Sequence, residues 1–477
     1  MTTTHNPQVS VKLIKVVNRS AIAPGIAVAG RYKNLLEIDL TPYLGDMGGV
    51  RTVKGVREPA GGFSMTFADQ ATDRSESLYG LIEPMDLVEI RMARNPSDYP
   101  GGRLPIVMRG FVSRVSRPEQ VAHDGRVHRS VVVQGQDFGK LWQIFQIVYL
   151  PDTTLDEYVL TAFKFAEKYH IDITKPLPVA QFIGQVVAAI LNPLVLQLQW
   201  SGNALAPEYS RIRPDVSTIG TVSDSTVNNW PGNQPIYNLL ALACDVQNGF
   251  NEMFMDDRED GVALVLRPTP WKRPDGTYIQ TGVPDIPTVK LDAADVVSLA
   301  ASRSDECVAN LFWVYNPPFA LLTQDTIRLN RRLAPLTDYF NNDPKFYGLR
   351  MMEQVTYLGP PNWPASDTNS QERQAQLDPL MDAWLMQTAE VMQAASQDAV
   401  VFEQGHLRLK GNEKIKAGNF VGVARNSMVA EYYAARVEHE FAFGQPFMTT
   451  VHFERGTGFI QRAQWTAGPY WAELTPT

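Results

Sequence analysis

From Gly61 to Asp69 the chain reads GGFSMTFAD, with Phe63, Met65 and Phe67 alternating against Ser64, Thr66 and Ala68. This is the period-2 pattern of a half-buried strand. The alternation recurs in LLEIDL, at Val88, Ile90 and Met92 against Glu89 and Arg91, in LPIVMRGFVSRVSRP and in RVHRSVVVQGQDFG. A short helix is expected around Ser75–Ile82, a turn at Pro84 and Asp86, a loop at PGG and a hairpin turn at Asp124-Gly125, because Asp-Gly between strands is a turn signal. Residues 1–137 thus predict an antiparallel β-barrel or sandwich.

The period changes after Phe138. FGKLWQIFQIVYL and LDEYVLTAFKFAEKYH space their apolar residues as helices do, with Thr153 or Thr154 as a cap and Asp156 and Glu157 in the first turn of the second. From Pro176 to Pro207 there is no charge. A bilayer span needs about 20 apolar residues. Gln181, Gln185, Gln197 and Gln199 interrupt this run and Asn192-Pro193 breaks it, so a buried or partner-covered helix pair is expected. Ser201–Asn238, rich in Ser, Thr, Asn, Pro and Gly, predicts a long loop or arm. FNEMFMDDREDGVALVLRPTPW predicts two strands joined at Asp260-Gly261. Residues 138–290 read as an inserted α+β region.

Strand patterns return over residues 291–456. CVANLFWVYNP is a strand, GPPNWPASDTNS a loop, and QERQAQLDPLMDAWLMQTAEVMQAAS the clearest helix. GHLRLKGNEKIKAGNFVGVAR then gives strand, turn and strand, and EYYAARVEHEFAFGQPFMTTVHFERG a hairpin turning at Gly444-Gln445-Pro446. IKAGNFVGVAR, from Ile415, echoes IEPMDLVEIRMAR, from Ile82. Each runs from an isoleucine through a turn into an alternating strand, and each is followed by a long hairpin. The shared order predicts a duplicated β unit, residues 33–137 matching 401–456 with a further strand near 310–315.

Apolar residues make up 44% and charged residues 20% of the 477, and the net charge is -8. A chain of this size predicts two to four domains. The acidic balance argues against a nucleic-acid-binding surface, yet an acidic wall lets DNA pass without sticking. Cys244 and Cys307 lack metal-type spacing and are expected to be buried reduced thiols. MTTTHNPQVS has no secretory pattern, so folding in a reducing cytoplasm is expected.

Catalytic signals are weak. HEFAF at 439–443 places Phe443 where a zinc-protease helix needs a second histidine, and it alternates like a strand. DDREDG at 256–261 carries Arg258 and Arg267 where a calcium loop needs oxygen ligands. No Walker loop or G-x-S-x-G elbow occurs. RLNRRL at 328–333, without interleaved aromatics, reads as a solvated or protein-binding face. No catalytic residue, metal ligand or cofactor site is assigned.

GLIEPMDLVEIRM, LPIVMRGFVSRVSR, FNEMFMDDREDGVALVLRPTPW and IKAGNFVGVAR together resemble the baseplate hub proteins of contractile-tailed bacteriophages, related in architecture to the N-terminal part of type VI secretion spike proteins. The resemblance runs from about residue 33 to residue 456. It implies a mainly β fold of two tail-tube-like antiparallel β-barrels, 1–137 and 291–456, around an inserted helical or α+β domain, 138–290, with an aromatic arm at 457–477. It implies a non-enzymatic homotrimer joining a hexameric tail tube to a trimeric spike, with six similar barrels per ring and a channel for tape-measure protein and DNA, read without sequence specificity. Tail tube protein, spike protein, tape-measure protein and baseplate wedge proteins are the implied partners, and the virion tail baseplate, assembled in the host cytoplasm, is the implied location. Thr457–Thr477 is short for a fused spike or lysozyme domain, so a separate spike is expected. Phe182, Ile183, Ile190 and Leu194 in the uncharged segment, and Trp465, Tyr470 and Trp471 in the arm, are the expected interface residues, since large aromatics anchor interfaces. A tail-associated peptidoglycan hydrolase with its site in the middle region, or a β-rich surface-binding module, are the alternatives.

Overall fold

The computed structural model describes residues 5–16, 21–23, 26–27, 36–45, 48–69, 77–121, 125, 127–147, 176–197, 205–222, 234–316, 332–333, 339–363, 371–425 and 428–463. The expected helix at 155–170 and the aromatic arm's Trp465, Tyr470 and Trp471 lie outside them.

The fold is mainly β. Its longer strands are β1 (Gln8–Lys15), β2 (Leu36–Asp39), β3 (Gly49–Gly55), β4 (Gly62–Ala68), β5 (Leu87–Ala93), β6 (Ile106–Ser116), β7 (Glu119–Val121), β8 (Val127–Asp137), β9 (Ile212–Val216), β10 (Asn251–Arg258) and β11 (Gly261–Pro268). They continue with β12 (Thr288–Asp292), β13 (Val296–Ser302), β14 (Leu311–Tyr315), β15 (Met351–Val355), β16 (Glu403–Lys410), β17 (Phe420–Arg425), β18 (Met428–Ala442) and β19 (Met448–Gly456). Fourteen strands form one sheet, in the order β13-β16-β19-β18-β3-β4-β8-β6-β5-β1-β2, with β12 on β17, β17 on β18, and β7 on β8. Among the described residues the expected barrels are not closed: two strand sets are fused edge to edge in a continuous sheet.

The two sets have the same order. In the first, β1-β5-β6-β8-β4-β3 are neighbours; in the second, β12-β17-β18-β19-β16-β13. The echo in the sequence marks the same turn in both. Ile82 and Ile415 are buried, and three residues on, Met85 and Gly418 have φ of 76° and 88°. Met85 N donates to Val112 O (2.8 Å) and Val112 N returns to Asp86 O (2.9 Å); Gly418 N donates to Ala434 O (2.7 Å) and Ala434 N returns to Asn419 O (3.0 Å). Both sets also carry a β-bulge at the next residue, Ser113 in β6 and Ala435 in β18, where register shifts against β8 and β19. A bulge bends a strand and increases its twist. A short helix follows each last strand: α2 (Gly139–Ile144) after β8 and α6 (Gly458–Ala463) after β19.

The sets differ in three ways. β1 runs antiparallel to β5, whereas β12 runs parallel to β17. In the first set, helix α1 (Leu78–Leu81) stands between β4 and the turn; in the second, the long helix α5 (Gln371–Ser396) precedes β16, so these two helices are not part of the match. Where a short connection joins β3 to β4, residues 303–402 leave the sheet between β13 and β16. That excursion holds β14, which pairs in parallel with β15 and packs Phe312 and Val314 against Leu385, Ala389 and Met392 of α5. The strand at 310–315 therefore belongs to this excursion and not to the second β unit.

On the first set, helix α3 (179–197) buries Phe182, Ile183, Val186, Ile190 and Leu191 against α2, α4 (Ile236–Ala243) and Ile14, Leu87 and Phe111. Asn192-Pro193 does not end it. A π-turn over Val187–Leu191, closed by Asn192 N on Val187 O, comes just before the proline, where a widened turn accommodates a ring that cannot donate. The Asn192 amide then docks the helix by bonding both Ile212 N (2.8 Å) and Ile212 O (3.2 Å). Ile212 opens β9, parallel to β11, within the stretch whose composition predicted a loop. Pro214 sits in β9 at the edge of that sheet, where a strand tolerates proline.

Gly418 yields a prediction. Its φ of 88° disfavours any side chain, and a Cβ there would strike the Arg267 guanidinium. Gly418→Ala should lower the unfolding free energy by about 2 kcal/mol, read from chemical denaturation. Met85→Gly, at the matching position, should change it by less than about 1 kcal/mol.

Candidate assembly interface

The two strand sets meet at β3 and β18, which pair antiparallel from Arg436 opposite Gly55 to Ala442 opposite Gly49. β18 is long enough to serve two partners on one edge: Met428–Tyr433 pair with β17 and Arg436–Ala442 with β3. The bulge at Ala435 marks the hand-over, and Val56 N bonds its carbonyl (3.0 Å). Pairing buries Val50, Thr52, Val437, His439 and Phe441. Arg51 meets Glu438 at 2.6 Å and Arg436 meets Glu58 at 3.2 Å, both exposed enough to add little beyond orientation.

The hairpin β10–β11 packs against this joint: Arg258, Glu259 and Asp260 at its turn are exposed, as a solvated hairpin turn should be, whereas Asp257 just before them is buried. Lys54 of β3 pairs with Asp257 and Asp137. Burial pushes the Asp137 carboxyl up to about 6 against the pull of Lys54. Lys416, just before Gly418, donates to Asp257 O (2.6 Å). Arg267 donates to Gly418 O (2.7 Å) and to Glu252, while the Tyr433 hydroxyl donates to the same carboxylate (2.5 Å). On the other side, Glu89 and Arg91, the polar face of β5, are covered. Glu89 accepts from Arg91 (2.5 Å), Arg109 (3.0 Å) and Tyr209 (2.9 Å), and Arg91 also grips Glu259 (2.9 Å). Burial pushes Glu89 up, but these partners outweigh it and hold it below the usual carboxylate range. Removing one partner of such a buried set costs several kcal/mol, so the hairpin is locked to both strand sets in one geometry.

The sequence-expected sites divide. Phe182, Ile183 and Ile190 are fully covered by their own chain, and Leu194 is half-buried on the same core. Leu196, near the end of α3, is exposed. Val179–Leu196 is long and apolar enough to cross a membrane, but 44% of it is buried inside the molecule. His439 lies in strand β18, its Nε2 on Ile415 O (3.2 Å) and its Nδ1 on the Thr449 hydroxyl (3.0 Å). Among the described residues no cluster of His, Cys, Asp and Glu could hold a metal. Cys244 is buried as expected; Cys307 is exposed, because it sits in a turn just past β13 rather than in a strand. A cavity of about 450 Å³ includes Asp245, whose carboxyl burial drives up to about 7. Its oxygens are committed to the Thr356 hydroxyl (2.5 Å) and Tyr357 N (2.6 Å), so it holds the fold rather than a substrate.

Sequence reasoning missed two strand edges that are open among the described residues. β13 pairs only with β16 among the described residues, and Val297, Ser298, Ala300, Ala301 and Ser302 are exposed. The outer half of β6 with β7 is open along the edge that β5 leaves uncovered, with Ser113, Arg114, Glu119, Gln120 and Val121 exposed.

The fold is similar to several solved tail proteins. A tail protein from Neisseria meningitidis MC58 shares 11% identity over 94% of this chain and 96% of its own, with a TM-score of 0.48. The 43 kDa tail protein of prophage MuSo2 from Shewanella oneidensis shares 10% over 94% and 98%, with a TM-score of 0.45. A chain of the half-lidded Francisella PdpA–VgrG complex shares 9% over 95% of this chain and 58% of its own, with a TM-score of 0.41. No family model and no curated protein sequence matches.

His439 makes the joint acid-sensitive. Burial lowers its pKa from 6.5 to about 4, outweighing the Ile415 carbonyl. The unfolded chain takes up this proton before the folded one does. The stability supplied by the neutral ring is therefore fully present above about pH 6.5 and is lost as pH falls through about 4, up to about 3 kcal/mol. Between pH 7 and 4 the denaturation midpoint of the natural protein should fall further than that of His439→Gln. Equal falls would place the acid sensitivity elsewhere.

Proposed function

We propose that this chain is a structural, non-enzymatic baseplate hub protein of a contractile tail, working as a homotrimer that adapts threefold to sixfold symmetry. The observation that carries the reading is the duplication: two strand sets of one order, with the same turn and the same bulge, fixed side by side in a single sheet. Three such chains in a closed ring present six near-equivalent units, which is what a threefold assembly needs in order to meet six identical subunits of a tail tube.

In this reading residues 1–137 and 291–456 supply the two ring units, and 138–290 braces them. The tail tube protein docks on one face of the ring and a trimeric spike on the other, with wedge proteins outside. Tape-measure protein and DNA pass through the channel, which the net charge of -8 keeps from gripping phosphate. The arm at 457–477, with Trp465, Tyr470 and Trp471, reaches a neighbouring hub chain or the spike. The protein resides in the virion tail baseplate.

Native mass spectrometry of the purified chain at micromolar concentration should give a homotrimer, and averaged electron micrographs should show a ring with six similar lobes. A chain that remains monomeric under these conditions, alone and with tube protein, would overturn the reading.

A further inference from the structure

The joint between the strand sets is asymmetric: β3, the outermost strand of the first set in the sheet, donates its edge, and the second half of β18 accepts it. Matching the sets through their registers identifies the equivalents of both partners. Phe63 faces Thr52 and Gly135 in the first set, as Gly405 faces Ala301 and Phe453 in the second. The equivalent of β3 is therefore β13, with Thr52 matching Ala301 and Val53 matching Ser302. Val112 faces Gly135 as Ala434 faces Phe453, and the bulges coincide. The equivalent of the second half of β18 is therefore Arg114–Ser116 of β6 continued through β7. Both of these edges stand open among the described residues.

We propose that β13 of one chain pairs with the β6–β7 edge of the next, repeating the β3–β18 joint between chains and closing the trimer as one sheet. The register follows from the internal joint. Glu438 opposite Val53 becomes Ser116 opposite Ser302 of the neighbour, and Arg436 opposite Gly55 becomes Arg114 opposite its Ser304. The proposal rests on the trimeric reading above and specifies its seam.

Three observations favour a second copy as the occupant. First, β13 reads VVSLAAS, without a charge or proline, whereas exposed edges in soluble proteins usually carry one to block pairing. Val50 and Thr52 of β3 are buried by their joint, while the matching Leu299 and Ala301 are half-buried and exposed. Secondly, Pro118, between β6 and β7, gives its carbonyl to Ser130 N of β8 (3.2 Å). In an antiparallel strand a residue's N–H and C=O point the same way, so the donor Pro118 lacks is not one the free edge would use. Thirdly, charge is complementary. Arg114 would face the start of the turn that carries Asp305 and Glu306, as Arg436 faces Glu58 within the chain.

Disulfide trapping in the full chain tests the seam, in a Cys307→Ser background because Cys244 is buried. β6 and β13 stand seven strand steps apart in the sheet, about 34 Å along it at 4.8 Å per step, and a link that joins different chains shows as a covalent dimer or trimer. Ser116→Cys with Ser302→Cys should oxidise to covalent dimers and trimers on a denaturing gel. Ser116→Cys with Ala301→Cys should link at least tenfold less, since a one-residue slip turns a side chain to the other face. Val53→Cys with Glu438→Cys, at the internal joint, should close within one chain and reports that oxidation and folding are intact. Native mass spectrometry of the unoxidised samples separates the two ideas. A trimer that fails to link through Ser116 and Ser302, or links as well through Ala301, overturns the seam and leaves the trimer standing. Absence of any trimer overturns both.

Discussion

The structure depends on backbone hydrogen bonding between β3 and β18. A strand edge presents a row of donors and acceptors that must be paired, covered or hydrated. Here one strand set's edge is satisfied by the other's, which fixes their separation and rotation in one step. Side chains then add specificity. Val50, Thr52, Val437 and Phe441 fill the faces of the joint, and His439 is neutral beneath it. The bulge at Ala435 is what allows a single strand to leave β17 and take β3 on the same edge. Without that bend the two sets could touch but not share a sheet.

The hairpin β10–β11 makes the arrangement rigid. It reaches β3 through Lys54 and Asp257, the second turn through Arg267 and Gly418, and the polar face of β5 through Glu259 and Arg91. Buried ion pairs are weak evidence for stability, because desolvation offsets attraction, but they penalise every geometry in which the partners separate. The hairpin therefore acts on orientation. It holds the first and second strand sets in one relation, as the ring proposed above requires.

Much of the fold was legible because it is written in alternation. Phe63, Met65 and Phe67 point inward as expected, and the echo beginning at Ile82 and Ile415 marks equivalent turns. What escaped reading was decided by neighbours distant in sequence. Glu89 and Arg91 look like a solvent face and are buried under a hairpin that begins at residue 251. Pro214 and Asn192-Pro193 look like breakers, but an edge position and a π-turn absorb them. The strand at 311–315 has the right pattern for the second β unit and belongs elsewhere, because pattern reports burial and not which sheet does the burying. The same limit explains the interface residues. Phe182, Ile183 and Ile190 had to be covered, and their own chain covers them.

The low similarity between the two halves follows from the same physics. The two strand sets share the same backbone path at three places: the positive-φ turn, the bulge and the edge strand. Those are the features that repeat, and none of them prescribes a particular side chain. The turn is met by Met85 in one set, steadied by the buried Asp86–Lys15 pair, and by Gly418 in the other, where no Cβ fits against Arg267. The bulge is met by Ser113 and by Ala435. Side chains elsewhere were free to diverge because the two sets face different surroundings: α3 and its core pack on the first, whereas the excursion through residues 303–402 is carried by the second. A duplicated unit under these constraints keeps its strand order and hydrogen-bond register long after its sequence ceases to look repeated, which is why one short echo was the trace that survived.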